Sequence, residues 1–115
     1  TRGVAVKAID TNLVAKNNIF YNNGYGQETV YFSGTGNLDF SYNNMLDNTV
    51  QETYGITPWP GTGNIFEDPL FLDTNYFHLQ LGSPCINAGD PDPQHNDTDG
   101  SRNDMGVYGG PFPLP

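Results

Sequence analysis

The sequence predicts an all-β protein whose short strands stack as the coils of a solenoid. Gly and Pro account for 14 and 9 of the 115 residues, and only 36% of the residues are hydrophobic, a balance that favours short strands joined by turns. Polarity alternates along several short runs, as expected for β-strands. Similar segments recur about every 20 to 26 residues, a period that is typical of a solenoid. At this length we expect a single domain.

The first strand is predicted in residues 3–9, where alternate residues face opposite sides. The segment 12–23 follows and leads into a Gly-rich turn. A further strand is predicted at residues 29–32, before the turn residues 33–36. Because the chain opens inside a strand, we expect it to be the C-terminal part of a longer secreted polypeptide.

Two internal repeats set the predicted stacking of the coils. Residues 12–13 and 37–38 are both Asn-Leu, and an Asn followed by two apolar residues recurs at Asn18, Asn44 and Asn64. Stacking would align these three residues in a ladder, because an Asn side chain can bond backbone in two coils and tolerates the left-handed conformation of turns. The alternative is that they are ordinary turn residues of a β-sandwich.

The segment 51–63 interrupts the repeat, because Pro58 and Pro60 flank Trp59 and prevent a regular central strand. We expect a projecting loop. Trp59 and Tyr54 are candidate carbohydrate contacts, since the faces of sugar rings pack on aromatic rings. The alternative for Trp59 is that it folds back over the apolar side of the solenoid.

The net charge is −9 with only four basic residues, which argues against a nucleic-acid partner and against an anionic membrane surface. The sequence has neither the charged and apolar regions of a signal peptide nor an apolar run long enough to span a bilayer. Such acidity suits a secreted protein that stays dissolved or collects divalent cations. Cys85 is the only cysteine, and its apolar neighbours predict burial in the core rather than nucleophilic chemistry.

Three motifs carry a resemblance to a known family. They are DPLF at 68–71, LQLGSPCINAGD at 79–90 and DMGVYGG at 104–110. With the Asn-containing repeats, they resemble the C-terminal end of bacterial right-handed parallel β-helix proteins of the pectate-lyase-like superfamily. The resemblance implies a parallel β-helix of about four coils, with coils in residues 1–82 and an irregular cap with an acidic loop in 83–115. It also implies an extracellular or cell-surface location.

Many proteins of this superfamily are polysaccharide lyases or hydrolases, and the lyases use a basic residue as the proton acceptor. Only Lys7, Lys16 and Arg102 are eligible here, and Lys16 is interpreted as a solvated residue of the outer face. A glycoside hydrolase needs a pair of carboxylates, and four residues could supply it: Asp39, Asp47, Glu67 and Asp68. The turn preferences of Asp explain Asp47 and Asp68 without catalysis. We therefore assign no catalytic residues.

The loop of residues 89–104 is a candidate calcium site. Its carboxylates are Asp90, Asp92, Asp97, Asp99 and Asp104. Calcium takes six to eight oxygen ligands, and five carboxylates in one loop would repel one another without a counter-ion. The alternative is that these residues form Asx turns, with Arg102 neutralising Asp99 or Asp104.

The sequence thus leads to two functional hypotheses. In the first, the chain is a non-catalytic β-helix module with a structural or polysaccharide-associated role, and the open edge of its first strand stacks on further copies. In the second, it is the C-terminal portion of a polysaccharide lyase or hydrolase whose active coils lie upstream.

Overall fold

The computed structural model describes residues 6–21, 29–46, 53–56 and 61–114. These residues form seven short strands and one short 3-10 helix. The strands are β1 (Val6–Ile9), β2 (Leu13–Lys16), β3 (Ile19–Tyr21), β4 (Val30–Ser33), β5 (Leu38–Ser41), β6 (Asn44–Leu46) and β7 (Thr53–Tyr54), and the helix is Pro93–His95. The predicted all-β class is confirmed. None of the described segments contains a helix that is long and apolar enough to cross a membrane.

All pairs between these strands are parallel, and each strand pairs with one from a different part of the chain. One sheet has the order β1-β4-β7, and the pairs β2-β5 and β3-β6 form two more. The first triplet, β1 to β3, therefore pairs strand for strand with the second triplet, β4 to β6. Val6 lies opposite Val30. Leu13 lies opposite Leu38, which is the pairing that the repeated Asn-Leu pair predicts. No closed barrel forms within the described residues.

The turns that follow β2 and β5 use the left-handed backbone conformation. Asn17 has φ 63° and Tyr42 has φ 57°, and Gly63 takes the equivalent place with φ 70°. The Asn17 amide donates to the Tyr42 carbonyl at 3.0 Å, so these turns stack directly. A Cβ on Gly63 would lie 2.2 Å from Cδ1 of Tyr42, and only glycine fits beneath that ring.

An Asn ladder follows these turns, but the predicted ladder is wrong by one residue. Asn43, rather than Asn44, lies between Asn18 and Asn64. The Asn43 Oδ1 accepts from the backbone and side-chain nitrogens of Asn18, both at 3.1 Å. The Asn64 Oδ1 accepts from the backbone and side-chain nitrogens of Asn43, at 2.9 and 3.2 Å.

The register of β3 and β6 explains this correction. Stacking of the Asn17 and Tyr42 turns puts Asn44 opposite Ile19, so Met45 lies opposite Phe20 rather than Ile19. Asn44 is the first residue of β6, and its side chain donates to the Glu67 carbonyl at 2.8 Å. The ladder is thus formed by the residue that follows each left-handed residue, and not by the residue that precedes each apolar pair.

A small apolar core joins the three sheets. It consists of Ala15, Phe20, Val30, Phe40, Met45 and Ile56. The rings of Phe20 and Phe40 stack with their centroids 5.9 Å apart. Since residues from both triplets contribute, the core is buried only when the two triplets lie on one another.

The C-terminal segment, residues 83–112, runs along the turns at Asn17 and Tyr42. The Ser83 hydroxyl donates to the Pro69 carbonyl at 2.6 Å. Further on, the Asp90 amide donates to the Asn17 Oδ1 at 2.7 Å, and the Gly106 amide donates to the Asn17 carbonyl at 2.8 Å. This segment therefore closes one side of the stacked strands.

Replacing Asn43 tests how much the ladder stabilises the fold. Asn43→Ala removes the side-chain bonds to Asn18 and Asn64 and the bond to the buried Ala15 carbonyl, so we expect the free energy of unfolding to fall by about 3 kcal/mol. Urea denaturation measures the change. Asn37→Ala, at an exposed position, is the control and should be nearly neutral. Equal effects of the two substitutions would contradict a structural role for the ladder.

Candidate functional site

A cluster of charged residues joins the strands to the C-terminal segment. Lys16 ends β2, and its Nζ lies 2.9 Å from Asp90 Oδ2 and 3.2 Å from Asp39 Oδ2. His95 Nε2 lies 3.7 Å from the same Asp90 oxygen. The Lys16 side chain is half-buried and paired with two carboxylates, so it is less solvated than the sequence interpretation expected.

The electrostatics of this cluster disfavour Lys16 as a catalytic base. The bond to Asp90, and secondarily that to Asp39, raises the pKa of Lys16, which therefore stays protonated at neutral pH. The bond from Lys16, and secondarily that from the Asp92 amide, lowers the pKa of Asp90. A protonated lysine cannot accept a proton, so Lys16 does not fit the role of the base that a lyase needs.

A groove of about 410 Å³ lies beside this cluster. Its lining includes Lys16, Asp39, Tyr42, Thr62 and Asp90. The Arg102 Cζ lies 5.8 Å from the centroid of the Tyr42 ring, and its Nε donates to the Gly89 carbonyl at 2.6 Å. Arg102 thus holds the C-terminal segment on the turn at Tyr42.

The five predicted calcium ligands each accept a hydrogen bond from a backbone amide. The amide donors are Asp92 for Asp90, Gln94 for Asp92, Gly110 for Asp97, Ser101 for Asp99 and Asn87 for Asp104. Three of these donors lie two residues after their acceptor, which is the geometry of an Asx turn. The described residues contain no group of three His, Cys, Asp or Glu side chains that could hold a metal ion.

Calcium binding stays a prediction, and the charges of two of these carboxylates act unfavourably on a third. Burial raises the pKa of Asp104, and the charges of Asp97 and Asp99 raise it further. A calcium-bound native state would lose stability when a chelator removes the ion, so melting curves with and without chelator test the prediction. Identical curves would leave only the Asx turns.

An aromatic stack marks the β1-β4-β7 sheet. The rings of Tyr31 and Tyr54 lie 4.7 Å apart and nearly parallel, and the Lys7 Nζ lies 5.6 Å from the centroid of Tyr31. Tyr54, one of the two predicted carbohydrate contacts, is 46% exposed. The other, Trp59, lies outside the described residues.

The predicted burial of Cys85 is confirmed. Its side chain is fully buried and accepts a hydrogen bond from the Asn44 Nδ2 at 3.1 Å. Burial raises the pKa of the Cys85 thiol, which disfavours the reactive thiolate.

The sequence interpretation missed an aromatic groove of about 580 Å³ between β3 and the C-terminal segment. We define the aromatic groove by the rings of Tyr21, Phe71, Phe77, Tyr108 and Phe112. The rings of Tyr21 and Phe77 each meet the ring of Phe71 edge to face, with centroids 5.6 and 5.3 Å apart. The high density of aromatic residues between positions 71 and 78 is the sequence signal that could have indicated this groove.

Asp73 organises the loop that carries Phe77. Its Oδ1 accepts from the amides of Asn75, Tyr76 and Phe77, and its Oδ2 lies 3.0 Å from the His78 Nδ1. These contacts lower the pKa of Asp73, chiefly through the Tyr76 amide. The His78 ring in turn stacks on Tyr108 at 4.4 Å, which connects this loop to the C-terminal segment.

Comparison of the chain with protein-family models, with curated proteins and with solved structures gave no match. Two surface features of the described residues could bind a ligand: the exposed stack at Tyr54 and the aromatic groove.

The ion pair between Lys16 and Asp90 predicts acid sensitivity. Because the folded-state pKa of Asp90 lies below its unfolded value, the ionised form stabilises the fold above that unfolded value, and this contribution is lost as the pH falls through the folded-state pKa. We expect Asp90→Asn to cost about 1–3 kcal/mol of unfolding free energy at pH 7. The difference from the parent should shrink below about pH 4.

Asp39→Asn is the matched control for this experiment, because Asp39 contacts the same Lys16 nitrogen from a more exposed position. We expect it to cost less than Asp90→Asn at pH 7. Chemical denaturation over a series of pH values measures both variants. A deficit of Asp90→Asn that is the same at pH 7 and in strong acid would contradict the role of the charge.

Proposed function

We propose that the chain is part of a right-handed parallel β-helix that serves as a secreted or surface-associated module with a structural or carbohydrate-associated role. The observation that carries this proposal is the strand-for-strand parallel pairing of the two triplets. In a β-helix, each coil supplies one strand to every sheet, and neighbouring coils pair only through equivalent strands.

The chain beyond the second triplet supports the same proposal. β7 pairs in parallel with β4, and an isolated parallel bridge joins Asn44 to Ile65. The Asn ladder also continues from Asn43 to Asn64. These contacts fit a third, less regular coil, followed by a cap in the C-terminal segment.

The exposed stack at Tyr54 supports a role in carbohydrate association. Tyr31 supports Tyr54 on one face, so the Tyr54 ring is held flat against the Tyr31 ring. A fixed aromatic ring binds an apolar surface at a low entropy cost, and the C–H face of a sugar ring is such a surface. Trp59 stays a predicted second contact of this site.

The alternative proposal is that the chain is the C-terminal portion of a polysaccharide lyase or hydrolase. It requires catalytic residues in upstream coils, because Lys16 is protonated and paired with Asp39 and Asp90. The sequence of the full-length gene separates the two, because an enzyme would carry Lys, Arg and carboxylates stacked on one face of its upstream coils, and a module would carry plain Asn-rich repeats.

Retention by polysaccharides tests the module. We expect the chain to be retarded in gels that contain at least one plant or bacterial polysaccharide, and to release neither unsaturated uronates nor new reducing ends. Tyr54→Ala should weaken retention at the Tyr54 stack, whereas Tyr54→Phe, which keeps the ring, should retain it. Failure to bind any polymer would exclude the carbohydrate role, and turnover of a polymer would favour the enzyme.

We further propose that, if these 115 residues are the mature protein, copies of the chain stack through the edge strands of the first triplet. Among the described residues, β1, β2 and β3 each lie at the end of their sheet. A parallel edge of this kind presents unpaired backbone groups to another chain. Sedimentation velocity over a concentration series should show association, and a monomer at the highest concentration would contradict the proposal.

A further inference from the structure

We propose that the aromatic groove binds a neutral oligosaccharide, as a second contact distinct from Tyr54. The inference rests on the proposed carbohydrate-associated role, but it does not depend on the Tyr54 stack. It assigns a ligand class to a surface that the sequence interpretation missed.

The shape of the aromatic groove fits a short sugar chain. Its volume of about 580 Å³ lies within the range of about 300–1,000 Å³ that is common for small-molecule sites. The Tyr21 and Phe71 planes are inclined at 78°, and the Phe71 and Phe77 planes at 71°. Phe77 is 48% exposed and Phe112 is 94% exposed, so ring surface is available to a ligand.

The charge of the groove selects among sugars. Every residue that lines it is uncharged, although the chain as a whole carries a net charge of −9. An anionic polymer such as polygalacturonate would find no cation in the groove and would be repelled by the acidic chain around it. A neutral sugar is not repelled by these charges.

Polar groups in the wall favour a sugar over an apolar peptide. The Tyr108 hydroxyl donates to the Tyr76 carbonyl at 2.6 Å, which leaves its oxygen able to accept from a ligand hydroxyl. The wall also includes Asn18, whose amide nitrogen bonds Asn43, and the phenol of Tyr21. Sugars present C–H faces and hydroxyls together, and this wall offers partners for both.

The groove is built on fixed backbone, which lowers the cost of binding. On one wall, the Gly106 amide bonds the Asn17 carbonyl at 2.8 Å, and the Met105 amide bonds the Cys85 carbonyl at 2.9 Å. On the other, Asp73 bonds three successive amides of the loop that carries Phe77. The ligand therefore has to order little of the protein when it binds, so the entropy cost of binding is low.

Affinity electrophoresis tests the groove with four separate polymers: xylan, galactomannan, mixed-linkage β-glucan and polygalacturonate. We expect at least one neutral polymer to retard the chain. Phe77→Ala should weaken that retardation about tenfold or more, because it removes an aromatic surface from the groove. Phe77→Tyr should retain it, and Leu81→Ala is the control, since Leu81 is 97% exposed and lies outside the groove.

The variants are first compared by near-ultraviolet circular dichroism and melting. If Phe77→Ala does not fold, Phe112→Ala replaces it, because Phe112 is highly exposed and contributes little to the core. Retardation by polygalacturonate alone, or a loss caused by Tyr54→Ala but not by the groove variants, would overturn the inference and leave the proposed function standing. No retardation by any polymer would overturn the inference and would also exclude the carbohydrate-associated role, which leaves only the structural role of the proposed function.

A second copy of the chain is the competing occupant of the groove. In that case the groove variants would reduce self-association in sedimentation without changing retardation by neutral polymers. This result would also overturn the inference.

Discussion

The structure depends on the hydrogen bonds of one buried amide side chain, that of Asn43. It bonds Asn18 on one side and Asn64 on the other, and its Nδ2 also donates to the Ala15 carbonyl at 2.9 Å. These bonds satisfy backbone groups that a sharp turn would otherwise leave unpaired beside the core. They also fix which residues of β3 and β6 face inward, since a slip of one residue would reverse every side chain.

Much of the strand pairing could be predicted because similar segments recur along the sequence. The repeated Asn-Leu pair gave the register of β2 and β5 correctly, since Leu13 and Leu38 are equivalent in residue type and position. The Asn ladder was displaced because Asn43 and Asn44 are adjacent and only Asn44 precedes an apolar pair. The deciding feature is the left-handed residue before Asn43, which is Tyr42, and a tyrosine gives no sequence signal for that conformation.

The candidate sites were less predictable because they join distant parts of the chain. The Asx turns of Asp92 and Asp99 involve residues two apart and follow from local sequence. Lys16 and Asp90 are 74 residues apart, and only the path of the C-terminal segment brings them together. The aromatic groove likewise needs β3 and residues 105–112 on one side of the stacked strands, which no local pattern encodes.

The positions of the basic residues connect the fold to the proposed ligand. Of the four basic residues, Lys16 contacts Asp90, and Arg102 contacts the carbonyls of Ala88 and Gly89. Both therefore hold one short stretch of the C-terminal segment against the turns, and the same segment continues to Tyr108 and Phe112 in the aromatic groove. Lys16 is paired with Asp39 and Asp90 and so is not free to bind an external anion. The two cations thus position the wall of the groove while the residues that line the groove are uncharged, an arrangement that suits a neutral ligand.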